Sequence, residues 1–320
     1  MTKTLHEEMD RLEAMIEGDY RPPSRDPFDM ETDRLFGGIS GVPVPSDDFP
    51  LGHGLILRRT YAKLTAPYIL AFAPPPKPSA PNPGPWAAVG EKSLVILAEL
   101  ELDGEPTLGF DRINTLWFVV ALLRLKLALP IKMPVLSDRP FQRIPDDTDR
   151  ANIFPVEVQL QQLLTAPPDR PPSTADFEWL RGNLFAASEL MKDPVFHRSF
   201  QTLDGAIHTQ NAGAGIVIAW AAIETLIRPG NTRITERICR SLAAYLNAPG
   251  PGRDRAFTSI ERCYAARGGA VHAGTPPEAE QFHTAFRLAR AALLLTIERR
   301  ERPDIEELLE AWRLKAAVQL

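Results

Sequence analysis

Arg267 and His272 stand five residues apart in the stretch RCYAARGGAVHAG, which runs from Arg262 to Gly274. Their types suit chemistry on a phosphodiester. Arginine carries a permanent charge and forks onto phosphate oxygens, whereas histidine titrates near neutral pH and moves a proton. RNA cleavage uses both properties: the 2′-hydroxyl must lose a proton, the leaving 5′-oxygen must gain one, and the crowded phosphorus between them needs positive charge. No metal is required, and no metal-ligand cluster is evident in the sequence. On one unbroken α-helix, residues at this spacing stand about 140° from each other, at about 100° per residue, so the two would not share a face. Gly268 and Gly269 fall between them, and glycine is a weak helix former. They allow the backbone to bend or end the helix, and a bend there is expected to bring both side chains to one pocket.

Arginine and histidine at this spacing arise often by chance in an arginine-rich chain, so context decides. The plainer alternative makes His272 a turn cap and pairs Arg267 with Glu224 or Glu261 in a structural salt bridge. Tyr264, three residues before Arg267, falls on roughly the same helical face.

The order AIETLI, then RICRSLAAYL, then CYAARGGAVHAG, then a long amphipathic helix resembles the Apea-like branch of the HEPN superfamily. Tyr264, Arg267, Val271 and His272 match its Arg-x4-6-His signature, and Glu224 matches a glutamate on the earlier helix. Gly268 replaces the usual polar residue after the arginine, and Ala273 replaces the glycine after the histidine. The likeness covers about residues 174–300. It implies a helical bundle that dimerises with the Arg–His motifs of two protomers facing each other, forming a metal-independent endoribonuclease. It also implies Arg267 and His272 as catalytic residues, Glu224 and Tyr264 as supporting ones, RNA as partner, no cofactor, and a role in anti-phage defence or a toxin–antitoxin system. Some relatives serve as non-catalytic dimerisation or binding modules, which is the alternative.

The elements that position these residues are legible in outline. TAPPDRPPST, with Pro167, Pro168, Pro171 and Pro172, marks the plainest boundary. Beyond it, Ser173 with Asp176 resembles a capping box opening a helix through Phe177, Leu180, Leu184 and Leu190. Further helices are expected from near Pro194, over AGAGIVIAWAAIETLI, from Thr232 to Asn247, and from Asp254 toward Arg267. The last expected helix is capped at Thr275 and carries Phe282, Phe286, Ala289 and Leu293. The glycines of AGAGIVIAW read as packing devices, because no phosphate-loop context surrounds them.

Ahead of the boundary the pattern is mixed. LILRRTYAKL, APYILAFA and KSLVILAELEL read as strands, the last ending in an Asp103-Gly104 turn. DRINTLWFVVALLRLKLAL reads as a buried helix stopped by Pro130. The fold class is therefore α+β: an N-terminal arm, partly irregular, over residues 1–50, a mixed α/β sensor or regulatory domain over 51–172, and an all-α HEPN-like domain over 173–320.

Bulk properties agree with a globular chain of 320 residues, 44% hydrophobic. Residues 220–320 hold 15 Lys and Arg against 12 Asp and Glu, a balance of +3, leaving 21 against 29, or −8, for residues 1–219. A mildly basic back half permits a polyanion partner without demanding one. Cys239 and Cys263 show neither disulfide nor zinc spacing. The N-terminus has no apolar stretch of signal-peptide length, and the apolar runs are short and carry charge, so a cytoplasmic protein without a membrane span is expected.

Overall fold

The computed structural model describes residues 33–44, 47–66, 69–72, 86–88, 92–146, 152–156, 171–209, 211–270 and 278–318. Its strands are β1 (Arg34–Ser40), β2 (Asp48–Gly52), β3 (Leu55–Ala66), β4 (Ile69–Phe72), β5 (Trp86–Ala88), β6 (Lys92–Asp103), β7 (Lys132–Ser137) and β8 (Ile153–Pro155). Six form an antiparallel sheet in the order β2-β3-β6-β1-β7-β8, while β4 pairs with β5. The helices are α1 (Arg112–Leu127), α2 (Thr174–Leu190), α3 (Pro194–Ala206), α4 (Ala212–Ile227), α5 (Ile234–Leu246), α6 (Pro251–Gly268), α7 (Ala279–Arg299) and α8 (Ile305–Val318). The fold is α+β, with the sheet in the N-terminal half and the helices mostly in the C-terminal half.

Period-two alternation explains β6. Ile96, Ala98, Leu100 and Leu102 are all fully buried, and Val95, Leu97 and Asp103 on the other parity are exposed. Glu99 and Glu101 share that second parity yet are buried, at 3% and 1% exposure. The β2–β3 hairpin turns on His53 and Gly54, with φ of 56° and 75°, a two-residue turn of the type that matches strand twist.

Residues 33–50, expected within a partly irregular arm, supply β1 and most of β2. Their glycines and prolines suggest punctuation in the sequence. Gly37 and Gly38 instead allow close approach: an added Cβ would stand 2.7 Å from Met133 Sδ in one case and 2.8 Å from a Phe141 ring carbon in the other. Pro50 is tolerated because β2 lies at the sheet edge. The remainder of the expected arm before residue 33, and the proline-rich run from 74 to 85, lie outside the described residues.

Helix α1 joins sheet to bundle. Asp111 caps it, accepting the Asn114 N–H at 2.8 Å, and Ala128 ends it in the left-handed region just before Pro130. It is apolar nearly all round, as befits a helix covered on every side. It touches β6 and β7 on one side and α2, α3 and α7 on the other. Arg124 is 2% exposed and forks onto Asp204 of α3, with Nε–Oδ1 and Nη2–Oδ2 both 2.8 Å. Arg290 of α7 donates to the carbonyls of Leu125 and Lys126, satisfying the last turn of α1. Asp33–Leu320 accordingly forms one compact unit.

The bundle follows its caps. Ser173 N–H donates to Asp176 Oδ2 at 2.9 Å ahead of α2, and Asp193 accepts from Val195 and Phe196 ahead of α3, with Pro194 in the first turn. Helix α7 differs from expectation: its cap is Glu278, whose N–H donates to Gln281 Oε1 at 3.0 Å, and Thr275 lies outside the described residues. Gly215 of α4 lies so close to Phe282 of α7 that a Cβ would stand 2.6 Å from the ring, so that glycine is a packing device.

Candidate functional site

Helices α4 and α6 bring three of the four expected site residues together. Trp220 and Glu224, one turn apart on α4, face Tyr264 and Arg267, three residues apart on α6. The Tyr264 hydroxyl donates to Glu224 Oε1 at 2.9 Å. Arg267 Nη2 stands 3.5 Å from the same carboxylate oxygen, and its guanidinium carbon lies 5.7 Å from the Tyr264 ring centroid. Trp220, fully buried, meets the tyrosine edge-on with centroids 4.8 Å apart.

The electrostatics follow from this packing. Glu224 is shared between a hydroxyl and a guanidinium, and its side chain and that of Arg267 are 24% and 25% exposed, so the pair sits at the rim and not in the core. Arg267 Nε is buried and has no hydrogen-bond partner among the described residues. Burial, followed by the Glu224 hydrogen bond and charge, pushes the Tyr264 phenol up to about 12, against the pull of Arg267. It is therefore a proton donor at neutral pH and not a base. Burial also pushes the Cys239 and Cys263 thiols up to about 12 and about 11, which makes them core residues and not nucleophiles. Among the described residues no group of three or more His, Cys, Asp or Glu could hold a metal ion.

Helix α6 ends at the expected glycines: its last residue is Gly268, and Gly269 caps it with right-handed helical angles of −59° and −43°, passing into a π-turn at Gly269–Ala270. Residues 271–277, over which a bend toward His272 would be completed, lie outside the described residues. His272 lies outside the described residues, so the structure unites Glu224, Tyr264 and Arg267 only.

Trp220 was not singled out in the sequence. The signal was its spacing of four from Glu224, which places it beside the same neighbours on α6. A second polar cluster, around Glu99 and Glu101, was also missed, although ELEL alternation placed both carboxylates on the face opposite the leucines.

No protein-family model, curated protein or solved structure matches the chain. Among the described residues no helix is long and apolar enough to cross a membrane.

Proposed function

We propose that the chain is a metal-independent endoribonuclease of the HEPN type, working as a cytoplasmic homodimer in anti-phage defence or a toxin–antitoxin system. The observation that supports this reading is the rim placement of Arg267, oriented by Glu224 and Tyr264 while a quarter of its side chain stays open to solvent. A guanidinium held this way is preorganised to clamp a phosphate.

In the proposed reaction, His272 takes the proton from the RNA 2′-hydroxyl, whose oxygen bonds to the adjacent phosphorus. The bond from phosphorus to the 5′-oxygen breaks, and that oxygen receives a proton from the second copy of His272 across the dimer axis. A 2′,3′-cyclic phosphate and a 5′-hydroxyl result. Two copies are needed because one imidazole cannot be base and acid at once. The test is incubation with RNA in EDTA of the wild type, Arg267→Ala and His272→Ala: wild-type cleavage lost in both variants is expected, and equal cleavage by all three removes the assignment.

A second reading, a non-catalytic dimerisation or RNA-binding module, draws on the Glu224–Arg267 ion pair, which serves packing equally well. Under it the variants lose stability and no cleavage is seen. Under the nuclease reading activity falls while stability is kept.

A further inference from the structure

Away from the bundle, the sheet carries a cleft of about 430 Å³ between β3, the segment before β2 and the short 3₁₀ helix Phe141–Asp146. Its face is fixed by register. Gly37 looks toward Leu116 of α1, its neighbour Gly38 looks toward Phe141, and Glu99 pairs across from Gly38. Glu99 therefore lies on the face turned away from α1. An irregularity in β3 between Arg59 and Ala62 re-aims Thr60 and Tyr61, both of which line the cleft.

We propose that this cleft binds a small organic cation, a primary amine or a guanidine, with its positive head against Glu99. The lining carries three carboxylates, Asp47, Asp48 and Glu99, against the two guanidiniums of Arg58 and Arg59. Those guanidiniums are already engaged. Arg58 donates to Asp48 at 2.7 Å and to Glu101, and Arg59 donates to the Val44 carbonyl at 3.1 and 3.3 Å and stands 3.5 Å from Asp47. What the cleft retains is acceptor capacity. Glu99 Oε2 accepts the Phe141 N–H at 2.9 Å, which leaves Oε1 without a hydrogen bond among the described residues.

Thr60 is the independent observation. It is 6% exposed, and its hydroxyl has no hydrogen-bond partner among the described residues. A buried hydroxyl in this condition carries a desolvation penalty that a bound polar group would relieve. Ammonium and guanidinium heads are donors only, which suits a carboxylate oxygen and a hydroxyl together. Tyr61, 66% exposed, offers an aromatic face to the same cation or its alkyl arm. Burial raises the Glu99 carboxyl above its ordinary range, against the Phe141 N–H and the charge of Arg58.

Isothermal titration calorimetry of the full chain with agmatine tests the site, with pentane-1,5-diol as the uncharged match and inorganic phosphate as the anion. Saturable one-to-one binding of agmatine alone is expected. Glu99→Gln, which keeps an acceptor for Phe141, should weaken it at least tenfold. Thr60→Val should weaken it several-fold, whereas Thr60→Ser retains it. If Glu99→Gln fails to fold, judged by its melting temperature, the Thr60 pair of variants decides. Absence of saturable agmatine binding, equal binding of the diol, phosphate binding in its place, or agmatine affinity unchanged in the folded variants overturns the proposal. None of these outcomes touches the nuclease assignment.

Discussion

Tyr264 donates its hydroxyl to Glu224 at 2.9 Å, and the oxygen that accepts it is the one facing Arg267. The carboxylate thus sets the arginine's position relative to the tyrosine ring. Glu224→Gln keeps an acceptor for Tyr264 but removes the charge that draws in the guanidinium. Because the pair is partly open to solvent, the expected loss of stability is below about 1 kcal/mol. RNA cleavage should fall by about tenfold, because Arg267 is no longer oriented. Single-turnover cleavage beside a urea melt checks both, and a large stability loss with unchanged cleavage overturns the positioning role.

Tyr264 also predicts an alkaline signature. Its phenol is pushed up to about 12 in the folded chain, mainly by burial, against about 10 in an unfolded one. The folded state therefore holds that proton more tightly. The stability it contributes is complete below pH 10 and is lost as pH rises toward 12. The difference in tyrosinate absorbance between wild type and Tyr264→Phe should titrate near 12, and Glu224→Gln should lower that midpoint. A midpoint near 10 contradicts the buried hydrogen bond.

The sequence made the bundle legible because helical period and caps agree: Ser173 with Asp176, Pro194 and the apolar face of α7 all appear where the pattern places them. The same reading failed at β1 and β2. There glycines serve close approach of Met133 and Phe141, a relation between segments about a hundred residues apart that no local pattern carries. Within the site, Tyr264 and Arg267 were legible from their spacing on one helix, and Glu224 from the resemblance of its segment to the family pattern. That Glu224 is shared depends on how α4 meets α6, which is tertiary information.

The helical angles kept at the end of α6 have a direct consequence. A Cβ at Gly268 or at Gly269 meets nothing within 4 Å, and Gly269 has ordinary helical angles. Gly268→Ala and Gly269→Ala should each stabilise the protein by about 0.5–1 kcal/mol. Gly215→Ala supplies the contrast, since its methyl would collide with Phe282, and a destabilisation of about 1–3 kcal/mol is expected from overpacking. Thermal melts of the three variants check the ordering. A destabilised Gly268→Ala would show that the freedom of glycine is used at the end of α6.

A buried ion pair ties α1 to the bundle. Arg124 has a side chain 1% exposed, and both of its contacts to Asp204 are 2.8 Å. Nη1 also donates to the Ile131 carbonyl at 3.2 Å, and the Trp117 ring lies 5.2 Å away. Asp204→Asn should therefore cost about 3 kcal/mol, at the lower end for a broken buried pair because Asp204 itself is 15% exposed. Replacing both partners with apolar residues, Arg124→Met with Asp204→Leu, removes the buried charge with its counter-ion and should recover most of that loss. Urea denaturation of the single and double variants measures the coupling. If the double variant is no more stable than Asp204→Asn, the pair contributes through geometry that apolar packing does not replace. If Asp204→Asn costs nothing, Arg124 is not holding sheet to bundle through this contact.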